Sequence, residues 1–212
     1  MTTAQPTTST TSSTLPATAV PTSLMYPDAI NDTMTVEDGH YGTVEEMAQA
    51  ADLVIVGDVI GVESLGRPSL DEDPYADEYV AITVETAEVL KGASVPSVVL
   101  GWDAIAVDLD GNRVATILSN GIRPPRVGDH VLLFLDPADP SFVESLGGKP
   151  THWPVLLDGV AYLDGDRLVA GETASTTASQ LLVLSLPQIR QIVGEAAAHP
   201  RDVGEPIRPG GL

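Results

Sequence analysis

Cysteine is absent from the 212 residues, which rules out a disulfide framework, a thiolate metal site and a cysteine nucleophile. Basic residues are scarce. Ten Lys and Arg stand against 30 Asp and Glu, for a formal charge of −20, and the only lysines are Lys91 and Lys149. A field of that sign repels phosphate backbones, and no arginine cluster offsets it locally. Nucleic acids and anionic membrane surfaces are therefore excluded as partners. The acidity leaves two readings open: general solvation, or adaptation to high salt or a cationic ligand. Long apolar runs are missing too. None approaches the roughly 20 residues of a membrane span, and no charged-then-apolar signal peptide opens the chain. G-x-S-x-G, P-loop and G-x-G-x-x-G motifs do not occur.

What opens the chain is a run of Thr, Ser, Pro and Ala over residues 1–25. Such a stretch cannot bury enough apolar surface to offset its ordering entropy, so a disordered tether is expected. Tethers of this composition join envelope anchors to folded heads. The expectation is an extracellular or envelope-attached bacterial protein whose precursor carries an export signal or lipid anchor; the alternative is an ordinary cytoplasmic N-terminus. Residues 26–42 mix apolar and turn residues and are read as an irregular covering segment. A domain over 43–199 is long enough to bury roughly two-thirds of its unfolded surface. Residues 200–212 form a loose tail.

Within the domain, Thr43 and Glu46 have capping-box spacing and open a short helix with Met47, Ala50 and Ala51 on one face. Residues 53–63 are rich in Val and Ile, with Gly57 and Gly61 marking bulges or bends. In the run from Tyr79 to Leu90, the apolar parity shifts near Glu85, as one extra residue in a curved strand would cause. Residues 97–102 form a third strand. The continuous apolar run at 130–135 predicts a strand buried on both sides. Leu-Asp-Gly-Asn/Asp-Arg recurs at 109–113 and 163–167, flanked by apolar alternation, and Asp-Gly favours tight hairpin turns. A similar turn is read at 156–162. An EF-hand loop begun at Asp108 would need its closing carboxylate at position 119, which is Ser119. Ser185, Pro187 and the stripe Ile189, Ile192 and Val193 describe a C-terminal helix. Helix, bulged antiparallel strands and helix fit a mainly β protein, a small closed OB-type antiparallel barrel.

The run from Ala51 to Ser64, the run from Val80 to Lys91-Gly92 and the later strand from Gly128 to Leu135 together resemble the netrin-like module. This is the OB-type barrel of tissue inhibitors of metalloproteinases, and the same strand pattern occurs in bacterial envelope proteins. The resemblance covers roughly residues 44–137 and lies in strand patterns and one turn. It implies a barrel and an exported binding or regulatory role. The inhibitors grip zinc through an N-terminal cysteine, which this chain lacks, so that mechanism does not carry over.

No catalytic residues are assigned. Asp129-His130 is read as a structural pair at a strand start, and His152-Trp153 as a loop pair that packs. Zinc needs three or four convergent ligands, and no His pair has helix-face or hairpin spacing. The loop between the first two long strands carries Asp71, Glu72, Asp73, Asp77 and Glu78 around Tyr75. In OB-type barrels this loop helps form the ligand face. Its oxygens could hold Ca2+ or meet a basic surface with Tyr75 as anchor; the alternative is a solvated loop. The expected function is a non-enzymatic module that binds a protein or glycan through barrel loops. The alternatives are an inhibitor of a secreted hydrolase and a carboxylate-dependent hydrolase.

Overall fold

A computed structural model describes residues 24–33, 41–67, 77–119, 122–155, 159–169 and 176–204. Its strands are β1 (Ile30–Thr33), β2 (Leu53–Gly66), β3 (Glu78–Lys91), β4 (Ser97–Val107), β5 (Arg113–Ser119), β6 (His130–Pro137), β7 (His152–Pro154), β8 (Val160–Asp164) and β9 (Arg167–Val169). Its helices are α1 (Val44–Ala50), α2 (Pro140–Ser145), α3 (Thr176–Val183) and α4 (Leu186–Ala198).

β2 pairs with β3, β3 with β4 and β2 with β6, all antiparallel. β7 closes the ring by pairing with β6 on one edge and, in parallel, with β4 on the other. The result is the five-stranded closed barrel of OB type that the sequence predicts, with one parallel seam where an antiparallel barrel is expected. β5 and β1 extend the sheet from β4, and β8 and β9 extend it from β6. The covering segment is not wholly irregular, since β1 within it runs parallel to β5.

The curvature comes from the bulges. Register shifts between β2 and β3 leave Ile60 and Leu65 unpaired on β2, and Ala87 and Leu90 on β3. The Ala87 bulge accounts for the parity shift in that strand. At Gly57 the strands approach so closely that a Cβ would overlap the Glu85 carbonyl oxygen. Both Asp-Gly hairpins form. β4 and β5 are joined through Gly111, at φ +83, and β8 and β9 through Gly165, at φ +60. The Asp108 carboxylate accepts from the Asp110 and Asn112 backbone N–H groups at 3.0 and 2.8 Å, which makes it the organiser of its turn. Of the turn expected at 156–162, residues 156–158 lie outside the described residues.

Two apolar layers share the wall formed by β2 and β6. Ile55, Val131, Leu133 and Leu135 point into the barrel with Ile82, Leu100 and Trp102. Val54, Val56, Leu132 and Phe134 point outward, where Met47 of α1 and Ile189 and Val193 of α4 cover them. The apolar run of β6 is thus buried on both sides. Thr43 Oγ1 accepts from the Glu46 N–H at 3.1 Å and caps α1. Gln188 Oε1 accepts from the Ser185 N–H at 2.8 Å at the start of α4.

The Lys91-Gly92 turn is a structural joint. Lys91 Nζ donates to the carbonyls of Ala48, Gln49 and Ala51 at 2.8, 2.8 and 2.6 Å, satisfying acceptors that the end of α1 leaves open. Gly92, at φ +96, lies so close to this joint that a Cβ would sit 2.6 Å from the Asp52 carbonyl oxygen. The Ala51-Asp52 and Lys91-Gly92 pairs therefore belong together because they hold α1 against the barrel.

Candidate ligand-binding face

The apolar cluster under α1 and α4 reaches the far end of β3 at Leu90, but Tyr79, Ala81, Gly101 and Asp103 on the outer surface of β3 and β4 are not part of it. Register sets Tyr79 opposite Asp103 and Ala81 opposite Gly101, while the alternating Val80, Ile82, Leu100 and Trp102 fill the barrel. The connection from β6 to β7, which contains α2, places Phe142 against Tyr79 and Trp153 of this face. Of the connection from β2 to β3, residues 68–76 lie outside the described residues. In OB-type barrels these connections and this face form the ligand surface.

Trp153 of β7 lies directly on Gly101, where a Cβ would overlap its six-membered ring. Any other residue at 101 would lift the indole away. Phe142 of α2 completes a trio. The Tyr79 and Phe142 ring centroids are 5.4 Å apart, those of Phe142 and Trp153 5.3 Å, and those of Tyr79 and Trp153 5.9 Å. The edge-on and tilted arrangements suit aromatic quadrupoles. All three rings are only partly buried.

The loop carrying α2 is fixed at both ends. Thr151 donates its N–H to the Val99 carbonyl at 2.9 Å, and its carbonyl accepts from the Ala138 N–H at 3.1 Å. Lys149 pairs with Glu63 at 2.8 Å. Asp139 caps α2 by accepting from the Ser141 N–H at 2.8 Å, with Pro140 in the first turn.

Beside the aromatic trio, Asp103 is half-buried, and its Oδ1 is closed off from solvent with no hydrogen-bond partner among the described residues. Burial pushes its carboxyl up to about 7, and the charge of Asp77 adds to the rise. Tyr79 responds in kind: burial, then the charges of Asp103 and Asp77, push its hydroxyl up to about 12. Glu78 behaves oppositely. It is 7% exposed and accepts from Arg113 Nε and Nη2 at 2.8 and 2.5 Å and from the Ser64 hydroxyl. Burial alone would raise its carboxyl, but these hydrogen bonds and the Arg113 charge outweigh burial and hold it below its usual range.

The sequence-predicted site residues are thus divided. Asp71, Glu72, Asp73 and Tyr75 lie outside the described residues. Asp77 is close enough to act on Asp103 and Tyr79. Glu78 is committed to Arg113 at the base of the same loop. Among the described residues no three His, Asp or Glu side chains converge into a group that could hold a metal ion.

The chain matches no family model and no curated protein.

His152-Trp153, expected in a loop, instead forms the closing strand β7, because the free edges of β4 and β6 supply its hydrogen-bond partners. The packing role expected of the pair holds, since Trp153 seals Gly101 and His152 Nδ1 lies 2.8 Å from Thr151 Oγ1. Burial lowers the His152 imidazole, against the opposing charges of Asp136 and Asp52. His130 is a partnered residue at a strand start, its Nδ1 lying 2.8 Å from Asp58 Oδ1. Tyr79, Asp103 and Phe142 are the members of the face that sequence reasoning missed. Asp139-Pro140 is a helix-start signal that points to α2 and hence to Phe142. The Tyr79–Asp103 pairing carries no local signal.

A concavity of about 260 Å³ lies among α1, α3 and α4. Val44, Val183, Leu184 and Ile192 line it, with Glu45 as its titratable side chain. No aromatic side chain lines it. Among the described residues no helix is long and apolar enough to cross a membrane.

Proposed function

We propose that the protein is a non-enzymatic binding module, exported or attached to the cell envelope, that engages a macromolecular partner through the β3–β4 face and its two flanking loops. One observation carries this reading. A partly exposed aromatic trio lies beside the half-buried Asp103, on the face where OB-type barrels bind. Partly buried aromatics with a fixed geometry make strong contact anchors. The Ser/Thr/Pro-rich N-terminal stretch and the netrin-like strand pattern support the envelope assignment, the first as a tether and the second by resemblance.

The test is binding to peptide and oligosaccharide arrays, comparing the full chain with Phe142→Ala. A defined set of ligands retained by the parent and lost in the variant, with the melting temperature nearly unchanged, supports the reading. Blank arrays for the parent, or binding indifferent to Phe142, overturn it.

The proximity of Asp77 and Asp103 favours a second reading, a carboxylate-dependent hydrolase. A carboxyl pushed up to about 7 suits a general acid at neutral pH. Turnover of a peptide or glycoside substrate that disappears in Asp103→Asn would establish this chemistry and displace the binding-module reading.

A further inference from the structure

We propose that the β3–β4 face takes a proline-rich segment of a partner protein in the polyproline II conformation. A prolyl ring packs among Tyr79, Phe142 and Trp153, while the Tyr79 hydroxyl and the Trp153 indole N–H donate to carbonyls of the segment. This inference rests on the reading of that face as a binding surface and names the chemistry of its partner.

The rings do not form a flat platform. Phe142 stands at 79° to Tyr79 and at 81° to Trp153, and Tyr79 is tilted 47° from Trp153. Rings so crossed share no plane on which the sugars of an oligosaccharide would stack in series. They offer walls to a compact aliphatic ring, and aromatic-lined grooves are how proline-rich segments are bound. The walls are fixed before a partner arrives. Gly101 receives the indole, Thr151 ties the end of the α2 loop to Val99, and Asp139 caps α2. A rigid site and an already extended ligand lose little conformational entropy on meeting.

The polar groups of the trio are donors. An indole N–H only donates, and the Tyr79 hydroxyl, pushed up to about 12, keeps its proton at neutral pH. Neither has a hydrogen-bond partner among the described residues. Unlike Asp103 Oδ1 and the indole N–H of Trp102 inside the barrel, neither is closed off from solvent. The indole meets Gly101 by its Cε3–Cζ3 edge, so Nε1 lies at the opposite side of the ring system. A polyproline II segment presents the matching half. Its backbone makes no internal hydrogen bonds, so every carbonyl is open, and its prolines have no N–H to leave unpaired.

This fit needs no charge. The described cations nearby, Arg113 and Lys149, are held by Glu78 and Glu63. Within the chain's own N-terminal stretch, Pro6, Pro16 and Pro21 stand off the three-residue period that sets prolines on one side of such a helix. Pro206 and Pro209 keep that period, which makes a second copy the rival occupant. Two copies each carrying −20 repel one another, and that favours a separate protein as the source.

The experiment is calorimetric titration of the full chain, at low and at high salt, with a decaproline peptide, a glycine–serine peptide of the same length and a neutral hexasaccharide of N-acetylglucosamine. Tyr79→Phe deletes one donor and keeps the ring, and Phe142→Ala opens the walls. Leu109→Ala, at the exposed tip of the β4–β5 hairpin, tests non-specific apolar contact. Melting curves first establish that each variant is folded. The expected result is that decaproline alone binds, with the same affinity at both salt concentrations. Tyr79→Phe then weakens binding about fivefold, the worth of one hydrogen bond. Phe142→Ala abolishes it, and Leu109→Ala preserves it.

Decaproline binding that is indifferent to Tyr79 and Phe142, or weakened as much by Leu109→Ala, puts the peptide elsewhere and overturns the inference. Equal affinity for the glycine–serine peptide overturns it as well, because the polyproline conformation then contributes nothing. Hexasaccharide binding that depends on Phe142, without decaproline binding, overturns it while leaving the binding-module reading intact. Self-association of the full chain in sedimentation, dissolved by decaproline and absent in Phe142→Ala, replaces the separate partner with a second copy and overturns that assignment. No binding of any probe overturns the proline seat, and the peptide and oligosaccharide arrays then decide separately whether the face binds at all.

Discussion

The two outer faces of the barrel are finished in different ways. Over β2 and β6 the covering layer is aliphatic: Met47, Ile189 and Val193 press on Val54, Val56, Leu132 and Phe134, all nearly inaccessible to water. Over β3 and β4 the cover is three partly exposed rings and a half-buried acid. The first arrangement maximises apolar area removed from water, with side chains that need no polar partner. The second leaves a carboxylate oxygen without one among the described residues, which costs stability in the free protein. The binding surface proposed above is the side that the aliphatic layer does not insulate.

The sharpest way to break this contrast is Ile189→Ala, which opens a cavity under α4. It is expected to lower unfolding free energy by about 3 kcal/mol in urea denaturation, with array binding per folded molecule unchanged. Loss of binding in a folded Ile189→Ala protein would mean that the two faces are coupled. Gly101→Ala attacks the other side. It displaces Trp153 and is expected to cost about 2–3 kcal/mol. Unlike Ile189→Ala it should also abolish binding, and a crystal structure of that variant with the indole still seated in its original place would contradict the packing described.

Asp103→Asn should move stability the other way. The folded carboxyl titrates at about 7 against a usual value of 3.8. Between those values the folded protein holds a proton that the unfolded chain has released, so stability falls as pH rises through that window. Asparagine carries no such linkage. The variant is therefore expected to be near parity at pH 4 and, after discounting for partial solvation, about 2 kcal/mol more stable at pH 8. Parallel melting-temperature profiles for the two proteins would count against a destabilising burial of Asp103. The smallest effect belongs to the helix side, where Thr43→Ala removes the α1 cap and should cost about 1 kcal/mol, visible as a small drop in melting temperature without any change in binding.

Much of the frame was legible in the chain because its signals are local. The Asp-Gly pairs at Asp110-Gly111 and Asp164-Gly165 carry their own turn geometry. The parity shift in β3 betrays its bulge, and the apolar run of β6 records burial on two sides. The site was only half legible. Of the acids expected in the loop between β2 and β3, Asp77 and Glu78 are described and, although adjacent in sequence, meet different partners. Nothing local separates them. α3 was also missed, whereas Asp139-Pro140 did carry the start of α2.

The amino-acid sequence by itself determined the strand pattern, the hairpin turns, the capped terminal helices, the exclusion of cysteine chemistry and the strongly negative field, since each depends on composition or on neighbours a few residues apart. Only the tertiary structure decided that His152-Trp153-Pro154 is a strand, because three residues containing a proline have no period of their own and pair only with edges that β4 and β6 leave open. It also decided that Gly101 is a seat for Trp153, that Lys91 clasps the end of α1, and that Asp103 faces Tyr79. These contacts join residues far apart in the chain, and bulge positions and barrel closure set the register that brings them together.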